Sequence, residues 1–141
     1  MLLFFIRSSG VLLLLSAAAK IVSAFGSAPI LSVPDPVLAI SFRHEFLGVG
    51  LIEIFIGAYC LLGSRPFVQL GLIGWLATSF AVYRLGLLWV GVHVCKCFGT
   101  LSDAFHLSAA KINVISLGLF AYLLLGSYTG VLRAWAARPQ S

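Results

Sequence analysis

Four long runs of apolar residues, separated by short polar stretches, dominate the chain. They cover approximately residues 8–30, 44–63, 67–92 and 112–132. Each run reaches the roughly 20 residues that an α-helix needs to cross the hydrocarbon core of a bilayer. The prolines Pro29, Pro34 and Pro36 end the first run, because proline lacks a backbone donor. Short links join antiparallel neighbours. The pattern therefore predicts an all-α fold, an integral membrane antiparallel four-helix bundle that forms a single domain over residues 1–141.

Composition agrees with this prediction and excludes other classes. The chain is 61% hydrophobic and 9% charged, whereas a soluble domain is roughly 25% charged. So few charges could not cover a surface that faces water. The net charge of +5 comes from scattered basic residues, and no basic cluster of the kind that follows nucleic-acid phosphates is present in the sequence. We therefore expect contact with membrane lipid and no binding of nucleic acid.

The basic residues also predict an orientation. Four spans place both termini on one side of the membrane, and that side carries four basic residues against three on the other. The positive-inside rule then predicts that both termini lie in the cytoplasm of a bacterial cell, in a multi-pass protein of the inner membrane. The residues on the two sides are Arg7, Arg65, Arg133 and Arg138 against Arg43, Lys96 and Lys111.

Residues with reactive side chains are concentrated where the third run ends, in His93-Val94-Cys95-Lys96-Cys97-Phe98-Gly99. A disulfide between residues one apart is strained and easily reduced, which suits thiol exchange. Lys96 favours the reactive thiolate, and His93 is placed to accept a proton. In the predicted orientation these residues lie outside the cytoplasm, where disulfides persist. We identify Cys95, Cys97 and His93 as candidate catalytic residues, with a slight preference for Cys95 as the attacking thiol.

Two other interpretations of the cysteine pair remain open. Cys95, Cys97, His93 and His106 are ligand types that suit zinc or copper, although their spacing matches no common zinc site. The pair could also be two inert thiols in a turn. Cys60 is near the opposite end of the second run, and we interpret it as a thiol of the core.

Three charged residues interrupt the apolar runs. An ionised group at the bilayer centre costs about 2.5–3.5 kcal/mol, so such groups face the bundle interior and find partners. Lys20 and Glu53 are each near the middle of a predicted span, and we predict an ion pair between them. Arg84 is expected slightly to the thiol side of the midplane. The three residues form either a structural clamp or a polar cavity that binds a quinone head group or carries protons.

Small residues indicate where helices approach closely. Gly50 and Gly57 are two turns apart on the second run, and Gly126 and Gly130 have the small-xxx-small spacing on the fourth.

The start of the second run carries three adjacent polar residues. Arg43, His44 and Glu45 are interpreted as a solvated helix start or as the rim of a site on the thiol side. Tyr83 and Trp89 are interpreted as packing or interface residues.

Several of these features occur together in one known family. The residues concerned are Ser16-Ala17-Ala18-Ala19-Lys20, a central Glu53, and Cys95 and Cys97 followed by Phe98-Gly99. From about Leu15 to Asn113 the chain resembles the MauE/DoxX-like family of redox-associated four-helix membrane proteins, whose MauE branch is linked to methylamine utilisation. Lys111 and Asn113 loosely match the start of the family's last span. Lys96 stands where the family usually has glycine. A bulkier residue at this position affects the strain and the reactivity of the ring that a Cys95–Cys97 disulfide would close.

The resemblance implies a role in disulfide formation or electron transfer. It implies quinone as a carrier and extracytoplasmic thiol proteins, such as a thioredoxin-like protein, as partners, with no covalently bound cofactor. Lys20, Glu53 and Arg84 are the candidate residues for binding the carrier. A second cysteine pair would have to come from the partner, unless quinone approaches the single pair directly. The alternative is a non-catalytic accessory subunit of a larger membrane complex that keeps this fold.

Overall fold

The computed structural model describes residues 2–91 and 109–136, and four α-helices make up most of these two ranges. Helix α1 covers Leu2–Ala24, α2 covers Phe42–Leu62, α3 covers Pro66–Trp89 and α4 covers Ala109–Ala136. A short 3₁₀-helix, Pro29–Ser32, lies in the link between α1 and α2. All four α-helices are long and apolar enough to cross a membrane. The predicted all-α fold with four spans is confirmed.

Helix α1 lies about six residues earlier in the chain than predicted. Its apolar start from Leu2 continues through Arg7, because a single charge near a helix end does not interrupt the backbone hydrogen bonds. At the other end the amide of Gly26 donates to the carbonyl of Ser23 at 3.0 Å, a tightened turn that ends the helix. Lys20 therefore lies about one turn from the end of α1, whereas we had predicted that it would lie near the middle of the span.

The helices run antiparallel in two closely packed pairs, α1 with α2 and α3 with α4. Helices α1 and α2 approach through glycine. A Cβ atom added at Gly57 would lie 2.9 Å from Leu14 Cγ and 3.0 Å from the carbonyl oxygen of Gly10. One added at Gly50 would lie 3.0 Å from Ile21 Cγ1. The predicted close contact at Gly50 and Gly57 is confirmed.

The glycines of α4 are used inside the bundle. A Cβ atom added at Gly126 would overlap the ring of Phe5 on α1, and one at Gly130 would lie 2.9 Å from Leu70 Cδ2 on α3. This small-xxx-small pair therefore joins α4 to its neighbours within the chain. The buried side chains around these contacts form the main core, which includes Ile6, Leu13, Ile56, Leu70, Ile73 and Leu123.

The two pairs are joined at one end by Gln69. Its side chain is buried, and its Nε2 donates to the carbonyl oxygens of Tyr59 and Gly63, each at 2.9 Å. These carbonyls belong to the last turn of α2 and to the residue after it, where a helix leaves acceptors unpaired. The contact fixes the start of α3 against the end of α2. Farther along, α2 and α3 separate, and this separation creates the site described below.

The close contact of α1 with α2 at Gly57 gives the first prediction. In Gly57→Leu the larger side chain meets Leu14 and a backbone carbonyl, so α1 and α2 must move apart. We expect a lower unfolding temperature of the detergent-purified protein than for the natural chain. Gly71→Leu is the control, because no atom of the described part of the chain lies within 4 Å of a Cβ atom at Gly71. Equal loss of stability in both variants would contradict the close packing of α1 on α2.

Candidate functional site

Lys20 and Glu53 form a buried ion pair between α1 and α2. The distance from Lys20 Nζ to Glu53 Oε1 is 2.7 Å, and the two side chains are 7% and 1% exposed. Ser16 bridges them, since its Oγ accepts from Lys20 at 2.6 Å and donates to Glu53 Oε1 at 3.2 Å. The predicted ion pair is confirmed.

The geometry of α1 explains how a lysine near the helix end reaches the middle of α2. Side chains on a helix tilt toward its N-terminus. The Lys20 chain therefore runs back one turn to Ser16, and its ammonium lies opposite Glu53. The ammonium is also 5.4 Å from the ring centroid of Phe80 on α3, which is within the range of a cation–π contact. One buried cation thus contacts three helices.

Arg84 joins the two later helices near the same layer. Its Nη1 donates to Ser116 Oγ on α4 at 3.4 Å. Ser116, Lys20 and Glu53 all line a small cavity of about 20 Å³ inside the bundle, a volume that suits a single water molecule. The other carboxylate oxygen of Glu53, Oε2, is buried and accepts no hydrogen bond from the residues in 2–91 and 109–136. The three predicted intramembrane charges therefore lie around one polar layer.

A larger cavity of about 240 Å³ lies between α2 and α3, and we call it the α2–α3 cleft. Its walls are mostly aromatic and aliphatic, with Lys20 at the inner end. Several lining residues are exposed on the outside of the bundle, including Trp75 at 58% and Ile52 at 41%. The cleft therefore opens sideways, toward the lipid in a membrane. Its lining residues are Lys20, Leu38, Phe42, Glu45, Phe46, Val49, Ile52, Trp75, Leu76, Ser79, Phe80 and Tyr83.

An acidic cluster lies at the outer end of the α2–α3 cleft. Asp35, in the link between α1 and α2, is 2% exposed. Its Oδ1 accepts from the backbone amides of Val37 and Leu38, each at 2.7 Å, and its Oδ2 accepts from the Tyr83 hydroxyl at 2.5 Å. Glu45 interacts electrostatically with Asp35 and Tyr83. The bond to Tyr83 attaches the link to α3, whereas Asp35 and Glu45 are like charges that repel each other.

This cluster differs from what the sequence led us to expect. Arg43 and His44 are exposed, as a solvated helix start requires, whereas Glu45 is half-buried and lines the cleft. Tyr83 does pack, but through a hydrogen bond that holds a buried carboxylate. Asp35 was not recognised as a functional candidate. An aspartate between two prolines is a recognised turn signal, because its side chain can bond backbone amides two and three residues ahead.

The candidate catalytic residues His93, Cys95 and Cys97 lie outside the described residues, and so does His106. Helix α3 ends at Trp89, at the same end of the bundle as Tyr83 and Asp35, and the chain continues from there toward the thiols. Cys60 is 2% exposed within the core, which confirms its interpretation as a core thiol. Within residues 2–91 and 109–136, no group of three or more histidine, cysteine or acidic side chains could hold a metal ion.

Four spanning helices around a buried ion pair define the chain as a helical, multi-pass membrane protein. No protein-family model, curated protein or solved structure matches it. The resemblance to the MauE/DoxX-like family therefore stays a prediction that rests on the quoted residues.

Removing one member of the ion pair gives the second prediction. Lys20→Met leaves Glu53 buried without its cation, which typically costs about 3–5 kcal/mol. We expect a corresponding decrease in the free energy of unfolding, measured by denaturant titration in mixed micelles. The double variant Lys20→Met/Glu53→Leu removes both charges of the pair and should recover most of the loss. A single variant as stable as the natural chain would show that the pair does not stabilise the bundle.

The bond between Tyr83 and Asp35 gives the third prediction. Tyr83→Phe removes the donor and leaves Asp35 Oδ2 buried without that partner, a change that costs about 1–3 kcal/mol. The same titration should detect this loss. Tyr128→Phe is a matched control, because its hydroxyl bonds Thr78 on the exposed surface at 2.9 Å and should matter less. If both variants lose the same stability, the Asp35 contact has no special role.

Proposed function

We propose that the chain is a membrane thiol–disulfide redox protein in which Cys95 and Cys97 cycle between a dithiol and a disulfide. The observation that carries this proposal is the position of the pair. The thiols are one residue apart in the sequence and follow directly after a membrane-spanning helix. The end of that helix is also the end at which the α2–α3 cleft has its acidic cluster.

The proposed cycle is balanced in electrons and protons. A partner dithiol attacks the Cys95–Cys97 disulfide, passes through a mixed disulfide, and leaves as the partner disulfide while the chain becomes the dithiol. The dithiol then loses two electrons and two protons to a quinone, which becomes the quinol, and the disulfide is restored. In this second step His93 accepts a proton from the Cys95 thiol as the dithiol is oxidised. The partner supplies the second cysteine pair, as expected of a thioredoxin-like protein outside the cytoplasm.

The intramembrane charges support the carrier half of the cycle. A quinone is lipid-soluble, and its reduction needs protons inside the membrane. Lys20, Glu53 and Arg84 surround one buried layer, and Glu53 keeps an unpartnered oxygen among the described residues. Intramembrane ionisable residues of this kind commonly mark ion or substrate paths. We assign these three residues to the carrier site, in a protein of the bacterial inner membrane with both termini in the cytoplasm.

A second candidate function is an accessory subunit of a larger membrane complex. It is favoured by glycines on the outer faces of the helices, where another helix could approach closely. Within residues 2–91 and 109–136, nothing lies within 4 Å of a Cβ atom added at Gly48, Gly71 or Gly118. In such a subunit the two thiols would be dispensable, and a bulky residue at Gly118 would block assembly without unfolding the chain.

Thiol trapping in intact cells gives the fourth prediction. In a Cys60→Ala background, we expect a membrane-impermeant maleimide to label Cys95 and Cys97 only after mild reduction, because the pair is external and disulfide-bonded. In Cys95→Ser, the remaining Cys97 should label without reduction. Cys97→Ser is the matched control and should expose Cys95 in the same way.

Two results would contradict the proposed redox pair. Labelling of both thiols after treatment with a mild oxidant would show that they do not form a disulfide. Labelling only by a permeant maleimide would show that the pair is not accessible from outside the cell.

A further inference from the structure

The α2–α3 cleft has the size and walls of a site for one aromatic ring. Its volume is about 240 Å³, whereas a cavity of about 150 Å³ can already hold benzene. The rings of Phe42, Phe46, Trp75 and Phe80 line it. Aromatic rings prefer to pack against one another in offset or tilted arrangements. A planar six-membered ring with small substituents therefore suits these walls.

The inner end of the cleft offers a hydrogen-bond donor. A lysine ammonium has three N–H groups. For Lys20, one bonds Ser16 Oγ and a second bonds Glu53 Oε1. Among the described residues the third has no oxygen acceptor and lies on the side of Phe80, which is part of the cleft wall. A ligand that enters here should therefore carry an acceptor such as a carbonyl oxygen.

The opening of the cleft selects for a ligand dissolved in the bilayer. The exposed lining residues Ile52 and Trp75 lie on spanning helices, so the cleft is entered from the lipid side. A ring inside the cleft can keep an apolar tail in the lipid. An acyl chain alone would fill the walls but would leave the Lys20 donor without an acceptor, which is costly for a charged group out of water.

The outer end of the cleft can serve a second oxygen of the ring. Glu45 and Tyr83 line this end. Glu45 precedes Glu53 by eight residues on α2, which is about 12 Å along the helix axis. That length accommodates a six-membered ring with a hydrogen bond at either end. Glu45 is thus placed to exchange a proton with the oxygen farther from Lys20.

We propose that the α2–α3 cleft binds the ring of a lipid-soluble quinone, with one carbonyl oxygen on Lys20 and the other toward Glu45. The choice of a quinone rests on the proposed redox function. The location, the contact with Lys20 and the role of Glu45 rest on the geometry of the cleft. Of the three charged residues assigned to the carrier, Lys20 lines the cleft, and the site adds the wall residues and Glu45.

Contact quenching of tryptophan provides the test. The variant Trp89→Phe/Trp135→Phe leaves Trp75 as the single tryptophan, and Trp75 lines the cleft. The purified protein is titrated in nanodiscs with a decyl-substituted benzoquinone. We expect saturable quenching of Trp75. The 1,4-dimethoxy analogue, which keeps ring and tail but has no carbonyl, should compete about tenfold or more weakly, because a hydrogen bond to a charged donor is lost.

Two variants locate the bound ring. Ser79→Leu adds volume at the cleft wall away from the ion pair and should weaken quinone binding about tenfold or more. Gly71→Leu is the control on the same helix and should bind as the parent does. The variant Lys20→Met/Glu53→Leu should bind the quinone with an affinity no higher than that of the parent protein for the dimethoxy analogue. Circular dichroism confirms that each variant is folded.

The outcomes separate this proposal from the redox proposal. Quenching that does not saturate or that is unchanged in Ser79→Leu would overturn the cleft as a quinone site, and so would a dimethoxy analogue that competes as strongly as the quinone itself. The chain with both Cys95→Ser and Cys97→Ser should still bind the quinone. If the natural chain binds the quinone in the cleft but does not form the Cys95–Cys97 disulfide, the redox proposal alone is overturned.

Discussion

The ion pair between Lys20 and Glu53 constrains the rest of the bundle. An unpaired charge is costly in lipid, so the two side chains must meet inside the protein. Their contact sets the register of α1 against α2, and glycines at Gly10 and Gly57 let the helix backbones come close enough to maintain it. Helix α3 contacts the same ion pair, because the ring of Phe80 lies next to the Lys20 ammonium. Packing and charge thus specify one arrangement.

The same pair separates two regions of different character. On one side is a small polar cavity next to Ser116, and on the other is the aromatic α2–α3 cleft. A group bound in the cleft would lie next to a buried cation and a buried carboxylate. Such an environment suits reactions that move charge and protons together, since electrostatic interactions are strong where the dielectric constant is low.

The sequence was sufficient for the parts of the structure that follow from the cost of polar groups in lipid. Four apolar runs had to become four helices, and two opposite charges within the first two runs had to pair. The contact of Tyr83 with Asp35 was not predictable in this way. It joins residues 48 positions apart through a non-helical link, and hydrophobic periodicity does not encode the path of such a link. The burial of Glu45 depends on the same path.

The contact of Gln69 with the end of α2 makes the α2–α3 cleft a wedge that is closed at one end. Tyr83 is fourteen residues beyond Gln69, or about 21 Å along the helix axis at 1.5 Å per residue. A tilt of about 5° around the closed end would therefore move Tyr83 by roughly 2 Å while hardly changing the packing at Gln69. The angle between α2 and α3 therefore sets the width of the cleft at its outer end, where Tyr83 bonds Asp35. That end of α3 is the one from which the chain continues to its two thiols.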